Sequence, residues 1–284
     1  MTAPTKKVFA VGLNAAWIYA LNSSGLPAAT SETVYNGLSV GGPVVFSYEP
    51  SEPTSIAHPG NNTVLQRDVL PSQDTASGTL EVSRSDFDTL ATLLNVNVRV
   101  FGDVNSLAWG SNQQGTEPTV ALVVYAQAKD NAGSRVWSTY VMPKCTLIPR
   151  PKGMSRDQQN MSYFVQPQSA SKHLTGLALT TVDDGATQAE VIEYQSNYRL
   201  GFAAWQATGA DTEFSFDVDR PFSNSGSGGI TVTKNGALMA YNASAASADE
   251  YSISATAITF GAALTDTDMI VAMYELADDA VDVE

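Results

Sequence analysis

The sequence predicts an all-β protein with one short α-helix, a long irregular stretch and a second, smaller β-rich module. Three observations carry this. The stretch Thr119 to Met142 reads as a hairpin, with strands Thr119 to Lys129 and Ser134 to Met142 joined by Asp130-Asn131-Ala132-Gly133. Asn and Gly tolerate the positive φ such a connection needs. Val120, Leu122, Val124 and Ala126 share one side of the first strand. Secondly, 21 Gly and 13 Pro in 284 residues punctuate short apolar runs along the whole chain. Thirdly, helical spacing is confined to one segment, where Phe87, Leu90 and Leu94 fall at i, i+3 and i+7.

In chain order, Met1 to Lys7 is polar, and Val8 to Leu21 has too broken an apolar pattern for a signal peptide and reads as a strand region. Asn22-Ser23-Ser24-Gly25 closes it as a turn. Val44 to Tyr48 is a strand. Glu49 to Ser77 then reads as a long irregular stretch, with Pro50, Pro53, Pro59 and Pro71 and a single apolar piece, Val64-Leu65. Loops of this length are functional or disordered. Gly78 to Val82 is a strand, and Ser85 caps a helix over residues 86–95, with Asp86 and Asp88 favoured by the macrodipole. Val96, Val98 and Val100 alternate with polar residues as a half-buried strand. After the hairpin come strands at Tyr163 to Val165, Leu174 to Leu179 and Val191 to Leu200. Polar composition near Ala207 to Asp211 marks a boundary, which divides the chain into residues 1–205 and 206–284. In the second part, Ile230 and Val232 face Leu238 and Ala240 across Asn235-Gly236, a type I′ signal. Tyr251 to Phe260 and Met269 to Glu275 complete a meander, and the acidic tail Asp278 to Glu284 reads as frayed.

Charge and cysteine usage narrow the function classes. Charged residues are only 15% of the chain, and a surface so poor in Lys and Glu favours permanent association. The net charge is −14, of which residues 201–284 carry −11. Such a chain repels phosphates, so sequence-specific nucleic-acid binding is not expected, and repulsion suits a surface that DNA must pass without sticking. With a single cysteine, Cys145, no intrachain disulfide can form. No run is long enough for a membrane span.

Catalytic and metal motifs fail on context. Gly37-Leu38-Ser39-Val40-Gly41 matches G-x-S-x-G, but Gly42-Pro43 and a strand follow where the motif demands a helix. Ser169-Ala170-Ser171-Lys172 matches S-x-x-K without its companion motifs. His58 and His173 are too few for a three-histidine zinc site. Asp217-Val218-Asp219 and Asp266-Thr267-Asp268 do not match a calcium loop and read as solvated turns. A glycan hydrolase would need two carboxylates in a cleft, and the sequence places no such pair. Trp17, Trp109, Trp137 and Trp205 read as core or interface anchors. Lys144, Arg150, Lys152 and Arg156 concentrate basic charge without interleaved aromatics. They read as an exposed loop that pairs with acidic groups on a neighbouring subunit rather than as a nucleic-acid patch.

Several blocks, taken in order, resemble the major tail tube proteins of tailed bacteriophages. They are Trp17-Ile18-Tyr19-Ala20-Leu21-Asn22-Ser23-Ser24-Gly25 with Tyr35-Asn36-Gly37-Leu38, then Glu52-Pro53, Ile56-Ala57-His58-Pro59-Gly60-Asn61-Asn62 and Asp68-Val69-Leu70-Pro71. Leu80-Glu81-Val82-Ser83-Arg84-Ser85-Asp86, Cys145, Pro151-Lys152-Gly153 and Leu174-Thr175-Gly176 complete them, over about two thirds of the chain. Phe214-Ser215-Phe216, Val232 to Gly236 and Ile270 to Tyr274 look like β-sandwich modules appended to phage structural proteins. The resemblance implies a tail-tube-type β-sandwich or barrel with one short flanking α-helix, in hexameric rings that stack into a hollow tube delivering DNA to the host. It implies no catalytic residues and no cofactor. Expected partners are further copies of the chain, a tape-measure protein, and tail terminator and distal tail proteins. DNA would pass through the lumen unbound and no membrane would be engaged. The location would be the virion, after assembly in the host bacterial cytoplasm. On this reading residues 49–77 form an arm reaching an adjacent ring, with Glu49, Pro53, Ile56, His58, Val64, Leu65 and Leu70 in contact, and Lys144, Arg150, Lys152 and Arg156 pair across subunits. Residues 206–284 would lie outside the tube. The competing reading is a receptor-binding or adhesive virion protein acting through the C-terminal sandwich.

Overall fold

Alternating apolar residues organise the chain into strands, and a computed structural model defines how they pair. It describes residues 9–30, 33–49, 54–60, 63–70, 76–83, 87–95, 99–101, 104–106, 118–130, 132–151, 161–182, 187–217, 220, 229–245, 247–254 and 256–276. The protein is all-β, with several antiparallel sheets and two short helices.

The first part contains β1 (Phe9–Ala20), β2 (Leu38–Ser39), β3 (Pro43–Glu49), β4 (Thr54–Gly60), β5 (Thr63–Leu70), β6 (Ser77–Val82) and α1 (Phe87–Leu94). It continues with β7 (Arg99–Phe101), β8 (Val104–Ser106), β9 (Thr119–Lys129), β10 (Arg135–Pro151), β11 (Met161–Pro167), α2 (Leu179–Val182) and β12 (Ile192–Ser196). The main sheet runs β2-β1-β9-β10-β11-β6-β3, and β12 adds to β10. The predicted hairpin is its spine, β9 and β10. Gly133 takes φ 81°, and Asp130 Oδ1 accepts from the backbone N–H groups of Ala132 and Ser134, both at 2.9 Å.

Strand β10 does not stop at Met142. A register shift between Met142 and Cys145 bends it, and it runs on to Pro151. Its first half pairs with β12 (Trp137↔Ser196 to Val141↔Ile192) and its second half with β11 (Cys145↔Pro167 to Pro151↔Met161). Inside the curled sheet lie Ala16, Ile18, Leu80, Val82, Leu122, Val124, Met142, Cys145, Leu147, Tyr163 and Val165. Helix α1 contributes Leu90 and Leu93 to this core, and Thr89 Oγ1 donates to the Ser39 carbonyl at 3.0 Å. Asn95, at φ 50°, ends the helix as expected for a left-handed cap.

The second part holds β13 (Leu200–Gln206), β14 (Glu213–Ser215), β15 (Ile230–Lys234), β16 (Ala237–Leu238), β17 (Ala240–Tyr241), β18 (Glu250–Ile253), β19 (Ala257–Phe260) and β20 (Met269–Glu275). The expected meander is instead two four-stranded sheets, β13-β20-β15-β16 and β14-β19-β18-β17. Trp205, Phe214, Phe216, Val232, Ile258, Phe260, Ile270 and Tyr274 fill the space between them. The Asn235-Gly236 turn has φ 52° and 80°, the two positive values a type I′ turn requires. Because β13 pairs along its length with β20, this sandwich begins at Leu200, ahead of the division after residue 205 that composition suggested.

Three further readings change. Residues 54–70 are not irregular: β4 and β5 form a two-stranded antiparallel hairpin. The expected strand over Leu174 to Leu179 is a turn leading into α2, because Gly176 takes φ 85°. The strand expected at Val96 to Val100 starts at Arg99, and residues 96–98 lie outside the described set.

Candidate functional site

The outward face of the main sheet divides at the β10 bend. Over the first half, β1 and β9 present Ala15, Trp17, Tyr19, Ala121, Val123 and Tyr125, and β10 presents Val141. Leu174, Leu200 and Phe202 cover them, so these strands are buried on both faces. Strand β13 is buried on both faces as well, since Ala203 and Trp205 belong to the sandwich core. The join is tight. A Cβ on Gly176 would stand 2.8 Å from Gly236 Cα, and Thr233 Oγ1 donates to the Thr175 carbonyl at 2.7 Å. Buried Arg220 lies 4.0 Å over the Trp17 ring, with Tyr19, Tyr125 and Tyr274 around it.

Over the second half, among the described residues, no core cluster covers the outward face. Thr146, Ile148, Phe164 and Gln166 are half-buried there, and Lys144, Arg150, Val45, Ser47 and Glu49 are exposed. Val45 is 42% exposed, high for a β-branched residue in a strand. Arg150 lays its guanidinium 4.6 Å from the Phe164 ring centre.

The predicted contact residues divide accordingly. Glu49 ends β3 and is exposed. Ile56 and His58 lie in β4 opposite Asp68 and Gln66, Leu70 lies in β5 opposite Thr54, and Val64 pairs with Pro59. Leu65 falls at the register shift of that hairpin. Pro53, Lys152 and Arg156 lie outside the described residues. Lys144 and Arg150 are strand residues of β10, not loop residues, because the bulge carries the strand beyond them. The structure therefore brings Lys144, Arg150 and Glu49 to one sheet surface and leaves the hairpin residues as a separate element.

The rejected motifs sit in ordinary surroundings. Strand β3, not a helix, follows Ser39. Ser169 Oγ donates to Gln188 Oε1 at 3.1 Å. Asp268 accepts from Thr265 and Asn235, which hold its carboxyl below the ordinary range despite partial burial. Among the described residues no group of three or more His, Cys, Asp or Glu could hold a metal. Burial pushes the Cys145 thiol up to about 12 and the His173 imidazole down to about 4. Thr175 N–H donates to His173 Nδ1 at 3.2 Å, which leaves Nε2–H for the Tyr194 hydroxyl, also at 3.2 Å. Trp17, Trp137 and Trp205 are buried, and Trp109 lies outside the described residues.

Sequence reading missed one cavity. It has a volume of about 570 Å³ and lies where β3 meets β1 and β12, lined by Gly12, Leu13, Phe46, Tyr48, Ala126, Tyr140, Val191 and Glu193. The Phe46 and Tyr140 rings are 5.9 Å apart. Tyr48 donates to Glu190 Oε2 at 2.7 Å, and Tyr140 bonds Glu193, its direct neighbour across the β10–β12 pair. Burial first, and these carboxylates second, push both phenols up. Five elements supply the lining, so no local motif marks it; the only trace in sequence is the inward alternation of Phe46 and Tyr48.

Comparison with protein-family models and with curated proteins returns no match to this chain.

Proposed function

We propose that this chain is a structural virion protein that assembles with copies of itself into stacked rings, forming the hollow tail tube through which a phage delivers DNA. The observation that supports it best is the open half of the main sheet. One face of β10, β11, β6 and β3 carries half-buried Ile148 and Phe164 and exposed Val45, with no core cluster over them among the described residues, beside a half that is covered. An exposed sheet face next to an edge strand is a self-association hazard unless it is an interface. A head-to-tail contact closes into rings, and a second, non-closing contact stacks them. The β4–β5 hairpin, at the end of edge strand β3, has the reach of an arm toward an adjacent ring. An acidic chain also suits a tube whose wall does not hold DNA. On this reading the chain acts by assembly and performs no catalysis.

A second reading, adhesion through the C-terminal sandwich, draws on Leu238 (58% exposed) and Tyr241 (38%) on neighbouring short strands. Negative-stain microscopy of the purified full chain separates the two. The tube reading expects rings and hollow tubes at high concentration. Monomers or trimers that bind cells would favour adhesion. Replacing residues 54–70 by a short Gly-Ser linker is expected to leave rings but no stacks; normal tubes would refute the arm.

A further inference from the structure

We infer that the aromatic cavity between β3, β1 and β12 is a receptor for a basic side chain, lysine or arginine, from a second copy of this chain. The inference rests on the self-assembly reading and gives it a specific contact.

The cavity has the chemistry of an organic-cation site. Phe46, Tyr48 and Tyr140 line a space of about 570 Å³. A cation over such rings gains about 0.5–2 kcal/mol, the upper end when desolvated. The carboxylates of Glu190 and Glu193 stand behind the two phenols and accept from them. A phenol that donates to a carboxylate is more electron-rich, and the carboxylate itself attracts a cation at the rim. Glu193 also accepts from Gln195 Nε2 at 3.1 Å, which holds it in place. Among the described lining residues there is no lysine or arginine, so nothing within the lining neutralises this charge.

The occupant is sought among the exposed basic side chains. Beside Arg99, Lys129, Arg135 and Lys172, which lie elsewhere, Lys144 and Arg150 are exposed on the open half of the main sheet, the surface that the assembly reading assigns to a second copy. Tyr140 points into the curled sheet, while Lys144 and Arg150, past the bulge at Met142/Cys145, point out of it. A copy therefore cannot fill its own cavity with them. Donor and acceptor are different surfaces of the molecule, so the contact is head-to-tail, the kind that closes a ring. Arg150 stacks on Phe164 of its own chain and would exchange that ring for those of a neighbour's cavity, whereas Lys144 is exposed. Charge complementarity of this kind fixes register and speeds encounter more than it adds affinity.

The test uses the full chain in sedimentation velocity and negative-stain microscopy. Glu190→Gln with Glu193→Gln keeps size and one acceptor oxygen per side chain but removes the charge; Lys144→Glu with Arg150→Glu removes the donor. Each pair is expected to weaken assembly at least tenfold in concentration at unchanged melting temperature, and added salt is expected to weaken the wild type in the same direction. A charge swap, Glu193→Lys mixed with Lys144→Glu/Arg150→Glu, is expected to restore mixed assemblies that neither forms alone. If the wild type assembles and both pairs of variants assemble as well as it does, the cavity assignment is overturned while the tube reading stands. If only the glutamate variants fail, and they do so with a lowered melting temperature, the cavity serves its own chain and the assignment is overturned. A wild type that stays monomeric at every concentration overturns both.

Discussion

The two halves of β10 contrast in what lies on their outward side. Both halves turn large apolar residues inward, Met142 before the bend and Leu147 after it. Before the bend, the outward residues meet Leu200, Phe202 and the sandwich built on β13, and are sealed. After it, Ile148 is half-buried beside Phe164 of β11 and Arg150 is exposed, with no core cluster over them among the described residues. The same sheet thus solves the burial problem once within the chain and leaves it unsolved a few residues later. On the assembly reading proposed above, the open face is where a further copy of the chain would bind.

Substitutions on the two halves should separate cleanly. The largest effect belongs to the covered half. Phe202 is fully buried against Tyr19 and His173, so Phe202→Ala is expected to cost about 3–5 kcal/mol in denaturant unfolding. A loss below about 1 kcal/mol would mean the two parts barely depend on each other.

Next comes the pH response of the same interface. His173 is buried neutral, with its pKa lowered by burial to about 4, against roughly 6.5 in the unfolded chain. The folded state therefore resists protonation that the unfolded state accepts. Stability is full above about pH 6.5 and falls as pH drops toward 4, by roughly 3 kcal/mol from this group. Unfolding curves taken between pH 7 and 4 should show this slope in the wild type and a shallower one in His173→Gln. Equal slopes would remove His173 from the account.

Gly176→Ala probes the seam more gently. It must place a Cβ at φ 85° and 2.8 Å from Gly236 Cα, and the expected cost is about 1–3 kcal/mol in thermal unfolding. The smallest effect on stability belongs to the open half. Val45→Lys should change unfolding by no more than about 0.5 kcal/mol, as for an exposed position. If it destabilises like Phe202→Ala, that face is not open.

How legible this was follows from which signals are local. The hairpin at Asp130–Gly133 and the Asn235-Gly236 turn were readable because turn chemistry is set by two or three adjacent residues. The short helix was readable from spacing, and Leu90 of the predicted apolar face lies in the core together with Leu93. The strand character of residues 54–60 and 63–70 was hidden by Pro59 and by few apolar residues, which leave no regular alternation to read. Lys144 and Arg150 read as loop residues in the sequence because Pro143, Pro149 and Pro151 punctuate a strand that bulges and continues. The cavity could not be read at all, because Leu13, Phe46, Tyr140 and Glu193 meet only after the sheet curls. The start of the second sandwich was misplaced for a related reason: β13 looks like the end of one apolar run until its partner β20, more than sixty residues on, is known.

The most direct measurement is the assembly state of the full chain carrying Val45→Lys and Ile148→Lys, compared with the wild type over a wide concentration range by sedimentation velocity. The account predicts large ring or tube species for the wild type and a well-folded monomer, with an unchanged melting temperature, for the variant. A wild type that never leaves the monomer, or a variant that assembles just as readily, would contradict the claim that the open half of the sheet exists to bind another copy.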